Sequence, residues 1–306
     1  MDLLTGLYTL EYTNISPVVA HLYEHVYIAG FDKFLREKGK SPSLKGWLSG
    51  ETFDEVIFLE YGFYSKEIAD LFSEYSTTIK SIDKNLVNNE ISRIECELKQ
   101  NTTISDFDKL FVDLELLNKI GFKDIGKRDA AEYINPVAEV SSPVQLKQSN
   151  KFNEFDVTIS LKSKNNLDVV GLLRLYPLIA DSLHEQLGNI GTYISTTDVP
   201  VYNKESGIIK VSVALIANSK LHHNEIEGQS SLAISMLKQD ILDTGISDYL
   251  DVFVNTPTWS HFPLEYYSQT GILASKSVIA DYLRDTQNTV GILNNCAVEI
   301  SSHEEV

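Results

Sequence analysis

A predicted helix over residues 17–36 constrains the fold more than any other segment. Ser16 is a suitable N-cap, Pro17 is tolerated in the first helical turn, and Gly39 is a typical stop. The apolar part of this helix comes from five side chains: Val18, Val19, Leu22, Val26 and Ala29. Polar side chains that lie beside this apolar stripe are therefore at the edge of a buried surface.

Two histidines and a glutamate lie at that edge. His21 and His25 are one turn apart on one face of the helix, and Glu24 follows His21 by three residues on the same side. Two imidazoles at this spacing can share a tetrahedral zinc ion, and a carboxylate beside them can accept a proton from a zinc-activated water. The alternative is a surface helix that carries these groups by chance. The pentapeptide alone does not decide, because only three of its five positions are specified.

A third protein ligand is needed, because catalytic zinc uses three and keeps one position open. The predicted helix 85–100 carries Glu90, Glu95 and Glu97. Glu90 and Glu97 are seven residues apart and share a face, so one could bind the metal while the other orients a histidine. Glu95 faces another side of the helix and ranks lower, but it stays open as a third ligand. A solvated acidic face is the alternative for all three.

Charge and cysteine content exclude several classes of protein. The 306 residues carry a formal net charge of −17, which argues against binding to nucleic acid or to anionic membranes. Cys96 and Cys296 are too few and too far apart for a disulfide framework, so we expect reduced thiols. The N-terminus lacks the features of a signal peptide, and no apolar run is long enough to span a bilayer. We therefore expect a cytoplasmic protein.

The chain reads as two halves joined by a polar segment. Residues 135–150 contain two prolines and no apolar period, so we interpret them as a linker. The predicted domains are residues 1–140, with the zinc site, and 141–306, which would contribute to the substrate site. Other predicted elements are strands 52–64, 154–162, 190–195 and 207–217 and helices 66–75, 107–120, 168–187, 230–243 and 275–284.

The motif residues resemble those of a known family, the pitrilysin/insulinase-like metallopeptidases. The inverted zinc motif of that family is HxxEH, here His21-Leu22-Tyr23-Glu24-His25, with Ala20 before it and Gly30 after it. The family's zinc-binding glutamate follows on a downstream helix, and another acid precedes it by seven residues. The resemblance implies that His21, His25 and Glu97 bind Zn2+, that Glu24 is the general base and that Glu90 supports a histidine.

The second half resembles the family more weakly. Family members end a helix with Arg-Glu-x-x-Gly before a strand that carries a tyrosine, and the Arg and Tyr complete the substrate site. Here His184 stands in the place of the Arg, and Tyr193 comes about two residues late. His lacks the fixed positive fork of Arg, so an ordinary polar helix residue is the alternative for His184. Tyr193 and His184 are the remaining predicted catalytic residues.

The resemblance implies a fold and a function together. The expected fold is α+β, with two similar halves arranged as a clamshell, each a mostly antiparallel sheet with helices on one face. The expected function is a zinc metalloendopeptidase that hydrolyses peptides or small unfolded polypeptides, alone, as a homodimer or with a partner chain of the same family. The alternative is a binding or scaffold subunit of a heteromeric peptidase complex, with little activity alone. Both halves are shorter than in the family, and we expect the strand region before the motif to be short or absent.

Overall fold

The computed structural model describes residues 3–78, 81–125, 141–148, 152–197, 200–256 and 264–302. The described residues form two compact units. The first, which we call the site unit, lies within Leu3–Gly39 and Lys45–Asn150, and the second, the C-terminal unit, lies within Lys40–Leu44 and Lys151–Val306. The predicted domain boundary between residues 140 and 141 stays a prediction.

The site unit alternates strands and helices. Its elements in chain order are β1 (Leu4–Glu11), α1 (Pro17–Glu37), β2 (Gly46–Thr52), β3 (Val56–Phe63), α2 (Lys66–Thr77), α3 (Lys84–Leu98), β4 (Gln100–Ile104), α4 (Phe107–Ile120), β5 (Lys123–Asp124) and β6 (Val144–Gln148). Four strands form one antiparallel sheet in the order β2-β3-β1-β5, and β4 pairs with β6. Strand β2 is therefore an edge strand of the main sheet among the described residues.

Three local features differ from the sequence predictions. The segment 52–64 was predicted as one strand, but it holds the last residue of β2, the turn and β3 of a hairpin. The turn closes where the Phe53 amide donates to the Val56 carbonyl, 2.8 Å. Strand β2 was not predicted because it contains Gly46 and Gly50, and Gly is depleted in strands. No strand was predicted before α1, where β1 lies. Residues 144–148 form strand β6 instead of a linker, while 135–140 and 149–150 lie outside the described residues.

An aromatic core fixes α1 on the sheet. Phe31 of α1 lies 4.9 Å from Phe72 of α2 and 6.0 Å from Phe63 of β3, measured between ring centroids. Tyr27 and Tyr75 form an edge-on pair at 5.0 Å, and the Tyr75 hydroxyl donates to the Tyr27 carbonyl, 3.1 Å. Such aromatic pairs each contribute about 0.5–1.5 kcal/mol beyond their burial. The helix that carries the two motif histidines is thus held rigidly by its opposite side.

The C-terminal unit has the same kind of architecture. Its elements are β7 (Phe152–Lys162), α5 (Asn166–Gly188), β8 (Tyr193–Thr197), β9 (Val201–Asn203), β10 (Ile208–Asn218), α6 (His223–Thr244), α7 (Ser247–Asn255), α8 (Leu264–Thr270), α9 (Lys276–Arg284), α10 (Thr286–Asn294) and β11 (Cys296–Ser302). Its sheet has the order β11-β7-β10-β8, with β9 also on β10, and all pairs are antiparallel. The predicted mixture of helices with antiparallel sheets is confirmed. Within the described ranges, no helix combines the length and apolar character needed to cross a membrane.

Candidate metal centre

Two packed helices bring the motif residues of the site unit together. His21 and His25 lie on α1, and Glu90 and Glu97 lie on α3. The Glu97 Oε2 atom is 3.7 Å from His21 Nε2 and 3.3 Å from His25 Nε2. The two imidazole rings are 4.8 Å apart between centroids. Residues separated by 72 positions in the chain therefore meet as two ring nitrogens and one carboxylate oxygen.

The second nitrogen of His25 is held by Glu90. The distance from His25 Nδ1 to Glu90 Oε2 is 3.3 Å, and Glu90 is only 2% exposed. Because an ionised carboxylate only accepts hydrogen bonds, the proton of the neutral ring is assigned to Nδ1 and the lone pair to Nε2. This is the arrangement in which a carboxylate orients a metal-binding histidine. Nε2, the nitrogen that faces Glu97, is thereby the one that could bind a metal.

Arg93 holds Glu90 in turn. Its Nη1 atom donates to both carboxylate oxygens of Glu90, at 3.1 and 3.0 Å, and Arg93 is itself 9% exposed. Glu90 and Arg93 are three residues apart on α3, a spacing at which helical side chains are neighbours. Arg93 thus holds in place the carboxylate that accepts from His25. A chain of three contacts thus runs from Arg93 through Glu90 to the ring of His25.

The donor set fits a zinc ion. Oε2 of Glu97 is buried and faces the Nε2 atoms of both histidines, at 3.7 and 3.3 Å. Tetrahedral ligands at about 2.0–2.2 Å from an ion lie roughly 3.3–3.6 Å from one another, close to the 3.7 and 3.3 Å between Glu97 Oε2 and the two Nε2 atoms. Two imidazoles with one carboxylate are a usual ligand set of catalytic zinc. This buried oxygen can be satisfied by protonated His25 or by a cation that the two rings and the carboxylate bind together.

Glu24 lies beside this set but is held by a different element. It is 5% exposed, and its Oε2 accepts a hydrogen bond of 2.5 Å from the Thr52 hydroxyl of β2. His21, Glu24 and His25 each place a ligand atom within 4.8 Å of the others, so Glu24 also comes near any ion bound there. Glu97 as the third ligand stays a prediction; the geometry favours it over Glu24, because Glu97 faces both Nε2 atoms while Glu24 is engaged by Thr52.

The other glutamate of α3 points to a different partner. Oε1 of Glu95 accepts from the Thr102 amide, 2.6 Å, and from the Thr102 hydroxyl, 2.7 Å. These contacts tie α3 to strand β4. Among the two residues that the sequence left open as third ligand, the geometry therefore favours Glu97.

Burial and charge shift the pKa values of these groups in opposite directions. Burial lowers the pKa of His21, and the nearby His25 lowers it further. Burial by itself would lower the pKa of His25, but its contacts with Glu90 and Glu97 raise it to about 9. Burial would raise the pKa of Glu97, yet His25 and His21 keep it below its ordinary value. The metal-free cluster therefore holds a proton at His25, which a bound cation must displace.

Two predicted site residues lie in the other unit. His184 is an exposed residue of α5, and Tyr193 is the half-buried first residue of β8. Their assignment to catalysis stays a prediction.

The sequence argument missed three residues that contact the motif side chains. Arg93 had a detectable signal, because it follows Glu90 by three residues on the same helix. Gly50 and Thr52 had none, since strand pairing and helix packing bring them to Glu24 from 26 and 28 residues away. Contacts of this kind arise only from the tertiary structure.

A separate cavity lies on another side of α1. Its volume is about 660 Å³, and its lining includes Tyr23, Tyr27, Lys33, Phe34 and Tyr75. None of the motif residues His21, His25 and Glu97 lines it. The cavity and the metal-binding set are therefore distinct features of the site unit.

Comparison with known proteins gives similarity to solved protease structures only. No family model and no curated protein matches the chain. Similar structures include the ferredoxin protease FusC in complex with Arabidopsis ferredoxin (12% identity, 97% of this chain and 42% of that chain, TM-score 0.36). Another is the periplasmic protease PqqL from Escherichia coli, at 9% identity over 97% of this chain and 42% of that chain, with a TM-score of 0.28. A third is a protease from Helicobacter pylori, at 12% identity over 97% of this chain and 93% of that chain, with a TM-score of 0.30. The chain spans 42% of the length of the first two. All three TM-scores are low, so any function must be argued from the site itself.

Proposed function

We propose that this chain is a zinc metalloendopeptidase that hydrolyses peptides or small unfolded polypeptides. The observation that carries the proposal is the convergence of His21 Nε2, His25 Nε2 and Glu97 Oε2 next to the buried carboxylate of Glu24. A bound zinc ion would supply Lewis acidity toward a peptide carbonyl and lower the pKa of water. His21, His25 and Glu97 would hold it, and Glu90 would keep the ring of His25 in place.

Glu24 is suited to the role of proton carrier. Burial raises its pKa, and the hydrogen bond from Thr52 opposes this without cancelling it. A carboxylate with a raised pKa accepts a proton more readily at neutral pH. In peptide hydrolysis, Glu24 would take a proton from the attacking water and pass it to the nitrogen of the leaving amine.

The rest of the proposal comes from the family resemblance. Tyr193 or His184 would stabilise the developing oxyanion, and the two units would enclose the peptide as a clamshell. A peptide could also add as a strand to an exposed sheet edge, a binding mode that uses backbone hydrogen bonds. A second copy or a partner chain of the same family would complete the enzyme if the chain alone is inactive.

Zinc content, measured by elemental mass spectrometry, tests the proposal first. We expect about one zinc per wild-type chain, loss of zinc in His21→Ala, and retention in His223→Ala as a matched control outside the cluster. Hydrolysis of fluorescein-labelled casein and internally quenched peptides would then be compared in wild type and Glu24→Gln, which should keep zinc and lose activity. Absence of zinc after zinc is supplied would contradict the proposal and favour the scaffold-subunit alternative. Equal hydrolysis by Glu24→Gln would remove Glu24 as the base.

A further inference from the structure

Strand β2 forms a fitted surface under the Glu24 side chain. The Thr52 hydroxyl donates to Glu24 Oε2 at 2.5 Å. Two residues earlier on the same strand, Gly50 lies directly against the carboxylate. A Cβ atom built on Gly50 would overlap Oε1, Cδ and Cγ of Glu24. Only glycine leaves the space that this carboxylate occupies.

The Thr52 hydroxyl and the missing side chain of Gly50 constrain the Glu24 side chain in two different ways. The terminal torsion of a glutamate is broad, so its two oxygens are not fixed by rotamer preference alone. A hydrogen bond from Thr52 selects one orientation, and the β-branched Thr has few alternative rotamers of its own. Close approach to Gly50 sets how far the side chain extends from α1 toward β2. Together they determine where the carboxylate lies relative to His21 and His25.

We propose that Gly50 and Thr52 are positioning residues that fix the Glu24 carboxylate beside His21 and His25. This inference rests on the proposed function. The Glu24 carboxylate would take a proton from the attacking water as the water oxygen bonds to the peptide carbonyl carbon. The same proton would pass to the nitrogen of the leaving amine as the C–N bond breaks. The hydrogen bond of Thr52 goes to Glu24 and not to a metal-binding atom of His21, His25 or Glu97.

Three variants separate this role from a general effect on folding. Thr52→Val keeps the shape and removes the hydroxyl, Thr52→Ser keeps the hydroxyl and removes the methyl, and Gly50→Ala fills the space under Glu24. We expect all three to retain zinc at wild-type stoichiometry. Thr52→Val and Gly50→Ala should lower kcat for the quenched peptides about 10- to 100-fold with little change in KM. Thr52→Ser should keep most of the wild-type kcat. In the Glu24→Gln background, Thr52→Val should lower kcat no further.

Several results would overturn the inference. These are wild-type kcat in Thr52→Val, an equally low kcat in Thr52→Ser, or loss of zinc in Thr52→Val. A readout that does not depend on hydrolytic activity is the melting temperature in a double-mutant cycle. Thr52→Val should lower it by about 2 to 4 °C when Glu24 is present and leave it unchanged in Glu24→Ala. Equal shifts in both backgrounds would show that Thr52 does not act through Glu24.

Failure of the proposed function gives a different pattern. In that case the zinc-loaded wild type and Glu24→Gln would be equally inactive on every peptide. The melting-temperature cycle then decides by itself whether Thr52 fixes the Glu24 carboxylate. An absent coupling would refute the positioning role whether or not the chain hydrolyses peptides.

Discussion

The contact chain from Arg93 through Glu90 to His25 predicts that one substitution has two separable effects. Glu90→Gln removes the carboxylate charge and keeps the volume of the side chain. The amide keeps one acceptor oxygen and places a donor at the second position, so His25 Nδ1 and Arg93 compete for one acceptor and the hold on the ring weakens. The carboxylate partner of the buried Arg93 guanidinium is removed at the same time.

The structure sets the magnitude of both effects. Loss of the partner that orients a metal-binding histidine typically weakens metal affinity about 10- to 100-fold. Removing one member of a buried ion pair costs about 3–5 kcal/mol, and Glu90 and Arg93 are 2% and 9% exposed. That loss corresponds to a fall in melting temperature of roughly 6–20 °C for a unit of this size.

Competition with a zinc chelator and thermal unfolding without metal measure the two effects independently. The matched control is Glu90→Gln combined with Arg93→Met, which removes the buried positive charge as well. We expect the double variant to regain much of its stability, because an apolar side chain of similar volume replaces the guanidinium. Its zinc affinity should stay as low as that of the single variant. Restored zinc affinity in the double variant, or an unchanged affinity in Glu90→Gln, would refute the assigned role of Glu90.

Three further predictions follow from the same geometry. Glu97→Ala should lose zinc and Glu95→Ala should keep it, because Glu97 faces the histidines and Glu95 bonds to strand β4. Metal content measures both, and the opposite result would make Glu95 the third ligand. In metal-free protein the contribution of His25 to stability is fully present below pH 6.5 and is lost as pH rises through about 9. Melting temperatures over that range should therefore fall relative to a His25→Gln variant, and a parallel course would contradict the raised pKa. Cys296 should react with iodoacetamide far more slowly than glutathione at pH 8, because burial raises the pKa of its thiol to about 12, and mass spectrometry would detect any fast alkylation.

The sequence determined the helix that carries the histidines. Its start is local, because the Ser16 side chain accepts from the Val19 amide, 3.4 Å, and Pro17 follows in the first turn. The observed helix, Pro17–Glu37, exceeds the predicted range by one residue. The spacing of His21 and His25 then follows from helical geometry alone. Predictions of this kind succeed because each depends on residues within one or two turns.

Hairpin β2–β3 shows why other elements escaped prediction. Its first strand contains two glycines, and one of them is needed for the close approach of Glu24 and not for strand formation. Strand β6 lies in a polar segment whose apolar side chains are too few to give a pattern, and its pairing with β4 makes it a strand. Both elements depend on long-range partners, which local propensity does not encode.

The sequence by itself thus determined the helical positions of the chemical groups and the mixed architecture with antiparallel sheets. Only the tertiary structure decided which atoms meet. The packing of α1 against α3 placed Glu97 at both histidines and Glu90 at His25, and the pairing of α3 with β4 directed Glu95 to Thr102. The sheet brought Gly50 and Thr52 to Glu24. The physical reason is that periodicity fixes the direction of a side chain from its own helix, whereas its partner is fixed by the packing of a distant segment.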